Sequence, residues 1–143
     1  MSRFEPPSLA CFFARWVLGL TFAMAGWWKT FQLGPVGHAE RFFLDGFSDT
    51  WIPEALLWGL GTTIPVAELA AGALVCIGLW RRWSYGLLGG ILVVVTYGHL
   101  LVEPLYSLQA HIFVRLALLL FLLTVPLERD RLSLDEISRR PSS

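Results

Sequence analysis

Long unbroken runs of hydrophobic residues dominate the sequence, with little of the alternation that marks half-buried strands. A helix of about 20 apolar residues crosses a bilayer core of roughly 30 Å. The runs therefore predict transmembrane helices over residues 9–31, 53–79, 83–102 and 108–126. Continuous runs favour helices over a barrel, whose strands would alternate every second residue. The predicted fold class is all-α, an integral membrane four-helix bundle.

The four helices, an outer loop over 33–52 and a tail over 127–143 account for the chain as one membrane domain, 1–143. The loop is the longest connection between the helices, and loops of this length are often functional or partly helical. Within it, residues 38–44 are predicted to form a short helix. Its aromatic residues allow two interpretations: a segment that lies on the membrane interface, or a plain tether anchored by aromatics.

The positions of arginine and lysine predict the orientation of the chain, because cytoplasmic loops are enriched in these residues. Seven arginines fall on one side of the predicted membrane: Arg3, Arg81, Arg82, Arg129, Arg131, Arg139 and Arg140. The other side holds Arg41 and several acidic residues. We therefore expect both termini to be cytoplasmic, in what we take to be a bacterial cytoplasmic (inner) membrane. Tryptophans flank the predicted helices at both ends, as expected of an aromatic belt.

Composition narrows the class of protein further. Charged residues make up 15% of the 143 residues, against about a quarter in an average soluble domain. The chain has 7 Trp and 10 Phe, and Lys29 is its only lysine. This composition argues against a disordered chain and a nucleic-acid-binding domain and makes the lipid bilayer the first partner. Cys11 and Cys76 have no CxxC spacing, so no metal site is predicted.

Ionisable residues at membrane depth are costly and therefore need a reason. In the first helix, Arg15, Gly19, Phe22, Gly26 and Lys29 recur at spacings of 4, 3, 4 and 3 and share one stripe, which we expect to face the bundle. The second helix carries the deepest acidic residue of the chain, on a stripe with Gly61, Gly72 and Val75. Its expected partners are arginines of neighbouring helices. This acid is Glu68, and those arginines are Arg15 and Arg115.

Two further pairs, each four residues apart, enter the outer half of the predicted bundle: His99 with Glu103, and His111 with Arg115. Such a cluster suits an anionic or quinone-like head group held between helices, and histidines suit proton relay. The candidate catalytic residues are Glu68, His99 and His111. The candidate cofactor-binding residues are Arg15, Lys29, Glu103 and Arg115. The alternative is a structural network of ion pairs that locks the helices together, with Lys29 and Glu103 reaching water.

Two other patterns bear on cofactors and partners. Two histidines on neighbouring helices also raise bis-histidine haem ligation, which we rank below a quinone because two histidines are a weak signal. Gly86 and Gly90 form a GxxxG pattern in the third helix, which supports a compact bundle or a homo-oligomer. The sequence contains no Walker loop, dinucleotide-binding glycine fingerprint, nucleophile elbow or HExxH motif. No enzymatic reaction is therefore assigned.

Three segments resemble the DoxX-like family of membrane proteins. They are Arg15-x-x-Leu18-Gly19-x-x-Phe22-x-x-x-Gly26-x-x-Lys29 in the first helix, Glu68-Leu69-x-x-Gly72-x-Leu74 followed by Gly78-Leu79 and Arg81, and the tail Arg131-Leu132-Ser133-Leu134-Asp135. One departure is Glu128-Arg129-Asp130, where the family pattern has a Gly/Pro-rich turn.

The resemblance implies a four-helix membrane fold similar to that of DoxD, a membrane subunit of thiosulfate:quinone oxidoreductase. Of the candidate site residues, Arg15, Lys29 and Glu68 match the family's motif positions. We therefore expect a redox-associated membrane subunit that binds a quinone-like molecule or a partner oxidoreductase through its intramembrane polar cluster. The alternative is a non-enzymatic assembly or anchoring subunit of a larger membrane complex. Fold-level resemblance alone does not choose between them.

Overall fold

All regular structure in residues 4–103 and 112–139, the parts of the chain described by the computed structural model, is helical. Helix α1 spans Pro6–Trp27 and continues as a π-helical turn, Trp28–Gln32. Helix α2 spans Pro35–His38 and continues as a second π-helical turn, Ala39–Leu44. The long helices α3 and α4 span Glu54–Ile77 and Arg81–Val102. Helix α5 spans Val114–Thr124, and the tail holds a 3-10 turn, Leu127–Arg129, and the short helix α6, Leu134–Ser138.

Among the described residues, three helices are long and apolar enough to cross a membrane: Pro6–Gln32, Glu54–Ile77 and Arg81–Val102. The described part of the fourth predicted helix, Val114–Thr124, is apolar but shorter than a span. The all-helical membrane fold is thus confirmed, while the count of four spans is not exact. The predicted start of the fourth helix, 108–111, lies outside the described residues. Helix ends elsewhere differ from the prediction by a few residues.

Helices α1 and α3 run antiparallel with their backbones in contact. A Cβ atom added to Gly19 would lie 2.7 Å from the carbonyl oxygen of Gly72, and one added to Gly72 would lie 2.5 Å from the amide nitrogen of Ala23. No side chain fits at these distances. Arg15, Gly19, Phe22 and Gly26 of the predicted stripe are all buried. The two glycines of this stripe face α3, where only a residue without a side chain allows so close an approach.

The connection between α3 and α4 turns sharply at the end that we call the tail end, since residues 127–139 pack there. Gly78 ends α3 with φ +72°, the left-handed conformation that favours glycine at a helix C-terminus. The tail packs directly on this turn, where the Asp135 amide donates to the Gly78 carbonyl at 3.0 Å. Residues 127–139 are therefore part of the folded bundle rather than an appendage.

The opposite end, which we call the loop end, carries the segment between α1 and α3. The predicted helix over 38–44 is confirmed, because Pro35–Leu44 is helical throughout. It packs on α3 so closely that a Cβ atom on Gly61 would lie 2.6 Å from the Cα atom of Ala39. The buried His38 ring fixes the contact, with Nδ1 2.6 Å from the Gly61 carbonyl oxygen. The carbonyl accepts, so Nδ1 carries the proton.

Candidate functional site

A cavity of about 240 Å³ lies between α1, α3, α4 and α5 toward the loop end. We call it the polar cavity, because charged and histidine side chains share its wall with aliphatic ones. Its charged and imidazole groups are Lys29, Glu68, His99 and Arg115. Four of the seven candidate site residues predicted from the sequence thus come together from four different helical segments.

The deepest feature of the polar cavity is an ion pair between Lys29 and Glu68. The Lys29 ammonium lies 2.7 Å from Glu68 Oε2, and the Glu68 side chain is 2% exposed against 24% for Lys29. Lys29 reaches the acid from the π-helical turn that follows α1. The expectation of an arginine partner for Glu68 is wrong, because within the described residues the ion pair is with Lys29. The register of α1 against α3 puts Lys29 beside Glu68 and Arg15 near the far end of α3.

Arg115 lies on the opposite wall, in the first turn of α5. The centre of its guanidinium group lies 4.9 Å from the centre of the Phe22 ring, a cation–π contact. One of its terminal nitrogens lies 3.5 Å from the Thr21 carbonyl oxygen, the outer limit of a hydrogen bond. No Asp or Glu oxygen of the described residues lies within ion-pair distance of it, 4.0 Å. The polar cavity therefore holds two cations and one anion.

A second cavity, of about 360 Å³, adjoins the first beneath the loop-end segment. We call it the aromatic cavity, since Trp28, Phe42, Phe43 and Phe47 line it. Lys29, Val95 and His99 line both cavities, so the two share a wall or passage at these residues. Together they offer a charged compartment next to an apolar one.

His38 lines the aromatic cavity, outside the membrane-spanning helices. Burial lowers the pKa of this imidazole below its ordinary value, and the charge of Lys29 acts in the same direction. The Gly61 carbonyl and Glu68 oppose the shift without cancelling it. His38 is therefore held neutral, and its contribution to stability is present above its unfolded-state pKa and lost on acidification.

The remaining predicted site residues lie elsewhere. Glu103 is exposed at the end of α4 and lines neither cavity. Arg15 is fully buried, but at the tail end. His111 lies outside the described residues. The proposed grouping of Arg15 and Glu103 with a bound head group therefore has no support from their positions in the structure.

Arg15 belongs instead to a cluster of charges at the tail end, which we call the tail cluster: Arg15, Arg81, Asp130 and Asp135. The Arg15 Nε atom lies 2.7 Å from Asp130 Oδ2. Its terminal nitrogens donate to three carbonyl oxygens, those of Val75 at 3.0 Å, Cys76 at 2.5 Å and Leu132 at 3.3 Å. Arg15 thereby ties α1 to the end of α3 and to the tail.

Arg81 of the same cluster pairs with two acids. It lies 3.3 Å from both Asp130 Oδ2 and Asp135 Oδ2 and donates to the Leu127 carbonyl at 2.8 Å. Asp135 also accepts the backbone amides of Trp80 and Arg81 at 3.0 Å each, which caps the start of α4. Burial acts to raise the pKa of Asp135. The backbone amides and the Arg81 guanidinium outweigh it, so this pKa lies below its ordinary value.

Asp130 is the structural residue that sequence reasoning missed. It is 4% exposed and pairs with both buried arginines. Two features of the sequence could have indicated it. It stands in the stretch that departs from the family pattern, Glu128-Arg129-Asp130. An acid among the arginines of the tail also needs a cationic partner once it is buried.

No group of three or more His, Cys, Asp or Glu side chains suited to a metal ion occurs in residues 4–103 and 112–139. Cys11 and Cys76 are buried and free. Haem ligation by His99 and His111 remains a prediction, since the second histidine is not among the described residues.

The fold and its buried charges define an all-helical membrane protein. The family model for DoxX matches residues 10–102. This covers more than half of the 143 residues, so the chain belongs to the DoxX family. The match includes Arg15, Lys29, Glu68 and Arg81 and ends before Arg115 and the tail. No curated protein and no solved structure gives a significant match to the chain.

Proposed function

We propose that this protein is a redox-associated membrane subunit that binds the head group of a quinone-like molecule in its polar cavity and presents it to a partner oxidoreductase. The Lys29–Glu68 ion pair carries the proposal, because a nearly inaccessible carboxylate forms part of the wall of a cavity between apolar helices. Ionisable groups inside a membrane protein usually mark a ligand or proton pathway. The DoxX family is itself loosely associated with redox functions.

The chemistry of the wall suits a head group with two carbonyl oxygens. Lys29 and Arg115 supply N–H donors from opposite sides, from the π-helical turn after α1 and from α5. Glu68 is assigned the exchange of protons with a reduced head group. His99, at the junction of the two cavities, is assigned the transfer of protons toward the loop end. His111 keeps the same assignment on sequence grounds, since it stands four residues before Arg115.

The test is titration of the purified protein with a short-chain quinone, followed by quenching of tryptophan fluorescence. Glu68→Gln and His111→Ala are expected to weaken binding. Glu54→Gln is the matched control for the acid, because Glu54 is exposed at the start of α3 and lines neither cavity. Unchanged affinity in both Glu68→Gln and His111→Ala would remove the proposed site.

One observation favours the alternative, a non-enzymatic assembly or anchoring subunit. A Cβ atom added to Gly86 or Gly90 on the exposed side of α4 would meet no atom within 4 Å. Small residues on a lipid-facing helix permit close packing with another membrane helix. Purification in mild detergent with Gly90→Leu tests this alternative. A stoichiometric partner that is lost in this variant would support it, and a partner retained in full would exclude this face as the contact.

We further propose a bacterial inner-membrane location with both termini in the cytoplasm, because the tail end carries the arginine excess. Single cysteines at Arg82 and Asp49, both exposed, report the two ends. An impermeant maleimide applied to intact cells should label Asp49→Cys and leave Arg82→Cys unlabelled until the membrane is permeabilised. The native cysteines are buried, which keeps the background low. The reverse pattern would invert the topology.

A further inference from the structure

We propose that the ligand of the polar cavity binds as an anion. It is an amphiphile with a single negative charge on an oxygen of its head group, held by Arg115, and with an apolar body that occupies the aromatic cavity. This inference rests on the proposed function of the polar cavity and adds to it the charge of the ligand and the direction in which the ligand lies.

The first step is the balance of charge. Lys29 and Glu68 form an ion pair at 2.7 Å and cancel each other, which leaves Arg115. No carboxylate of residues 4–103 and 112–139 pairs with Arg115, and the stretches outside those ranges contain no Asp or Glu. No acidic side chain of this protein therefore neutralises the Arg115 guanidinium. A cation between membrane helices is costly, and an anionic ligand would offset the cost.

The second step is the geometry of the guanidinium. Phe22 covers one face of the group, and the Thr21 carbonyl takes one N–H at 3.5 Å. A guanidinium has five N–H donors in a planar fork. Arg115 lines the polar cavity. We assign the N–H groups of Arg115 that do not donate to Thr21 to a ligand in that cavity. Two of them suit a pair of oxygens that share one charge, as in a carboxylate or in the ionised hydroxyl and neighbouring carbonyl of a hydroxyquinone.

The third step is the apolar compartment. The aromatic cavity begins at Lys29, Val95 and His99, the same residues that bound the polar cavity on that side. Its volume of about 360 Å³ is in the range of small-molecule sites, and the adjoining polar cavity adds about 240 Å³. Phe42 and Phe47 on its wall suit an alkyl chain or ring. A ligand with its charge at Arg115 therefore has a place for its apolar body.

The experiment compares two naphthoquinones that carry the same alkyl chain. One has a 2-hydroxyl group, which is ionised at neutral pH because it is a vinylogous acid, and the other has a neutral 2-methoxy group. Binding is measured on the full-length protein in zwitterionic nanodiscs. We expect the ionised compound to bind about tenfold more tightly or better, the size of one charge-assisted hydrogen bond. The preference should disappear when the pH is lowered until the hydroxyl is protonated.

The variants assign that preference to one residue. Arg115→Gln should abolish it and Arg115→Lys should keep part of it. Arg82→Gln, at an exposed arginine of the tail end, should leave it unchanged. Equal affinity of the wild type for both compounds, or a preference that survives Arg115→Gln, would overturn the inference. The pH comparison on the wild type tests the same point without any variant.

Failure of this inference is distinguishable from failure of the proposed function. If both compounds bind equally and Glu68→Gln weakens both, the site stands and the anionic ligand does not. If neither compound binds, both proposals fall. Competition by dodecanoate separates the two sources of an anionic head group. If dodecanoate displaces the ionised quinone, the site is assigned to fatty-acid-like anions. If the ionised quinone stays bound, the site is assigned to ring anions. Each outcome supports an anionic head group.

A separate measurement tests whether the apolar body of the ligand lies in the aromatic cavity. Lengthening the alkyl chain of the hydroxyquinone should increase the affinity of the wild type and increase it less in Phe42→Ala. Phe31→Ala is the matched control, because Phe31 is an exposed aromatic of the same end and lines neither cavity. An equal gain with chain length in all three proteins would remove the aromatic cavity from the proposal.

Discussion

The tail cluster and the polar cavity place charges at opposite ends of the same pair of helices, α1 and α3, and compensate them differently. In the tail cluster, Arg15 and Arg81 face Asp130 and Asp135, and carbonyl oxygens take further N–H groups of both arginines. The polar cavity, of about 240 Å³, has two cations on its wall, Lys29 and Arg115, and one acid among the described residues, Glu68. Each arginine of the tail cluster lies within ion-pair distance of an acid, whereas no acid among the described residues lies that close to Arg115.

This difference separates the charges of the tail cluster from the candidate ligand-binding charges better than burial does. Arg15 is more deeply buried than Arg115 and stands in a family motif, which made it a candidate ligand-binding residue. Its guanidinium lies against Asp130 and against carbonyl oxygens of α3 and the tail, and Arg15 lines neither cavity. Arg115 lies outside the family match, and its donors are largely unused. Charge balance around each group, rather than motif membership, therefore points to the site.

The largest expected effect is at the centre of the tail cluster. Asp130→Asn removes the negative charge shared by Arg15 and Arg81, both 1% exposed in their side chains. Removal of one partner of a buried ion pair costs about 3–5 kcal/mol, because the other charge stays desolvated. The measurement is the free energy of unfolding, or the midpoint of thermal unfolding, in a mild detergent.

The matched control for this prediction is Asp49→Asn, since Asp49 is an exposed acid of the loop-end segment. It should change the midpoint very little. If Asp130→Asn unfolds with the same midpoint as the control, the tail cluster does not stabilise the bundle, and the contrast with the polar cavity fails.

The sequence predicted one half of this contrast and missed the other for a physical reason. The stripe Arg15 to Lys29 and the stripe around Glu68 follow from the 3.6-residue period, which fixes the face of a helix on which a side chain lies. The partner of Glu68 depends on how far α1 is shifted along α3, and on the π-helical turn that carries Lys29. Neither this shift nor the π-helical turn can be predicted from the hydrophobic periodicity. Asp130 was missed because a polar tail gives no sign that it folds back onto Gly78.

A smaller effect is expected from Glu68→Gln. It leaves the Lys29 ammonium without its carboxylate, and Lys29 is partly exposed, so the loss of stability should be about 1–3 kcal/mol. The double variant Lys29→Gln, Glu68→Gln should recover part of the loss, because it removes the unpaired charge. A double-mutant cycle of unfolding free energies measures the coupling. Additive losses would mean that the ion pair contributes no interaction of its own.

Asp135→Asn is expected to cost about 1 kcal/mol at neutral pH, the usual value of a helix cap. The pKa of Asp135 lies below its ordinary value of 3.8. Its contribution to stability is therefore present above that value and lost as the pH falls through the lower, folded-state pKa. Unfolding midpoints of the wild type and the variant should differ at pH 7 and converge in strong acid. A difference that persists there would show that the carboxylate charge is not what caps α4.

The smallest effect on stability is expected from Arg115→Gln, although this variant abolishes the proposed anion preference. Arg115 has no carboxylate partner to leave behind, and its contact with Phe22 is worth about 0.5–1 kcal/mol or somewhat more when desolvated. Removal of an uncompensated charge from the bundle offsets that loss. Without ligand, the unfolding midpoint should therefore change by less than in Asp130→Asn, Glu68→Gln or Asp135→Asn. Arg81→Gln is the variant to compare, because it removes a guanidinium that pairs with Asp130 and Asp135. It should lower the unfolding midpoint markedly. If the two variants lose the same stability, Arg115 is a structural residue like Arg81, and the unused donors of the polar cavity no longer point to a ligand.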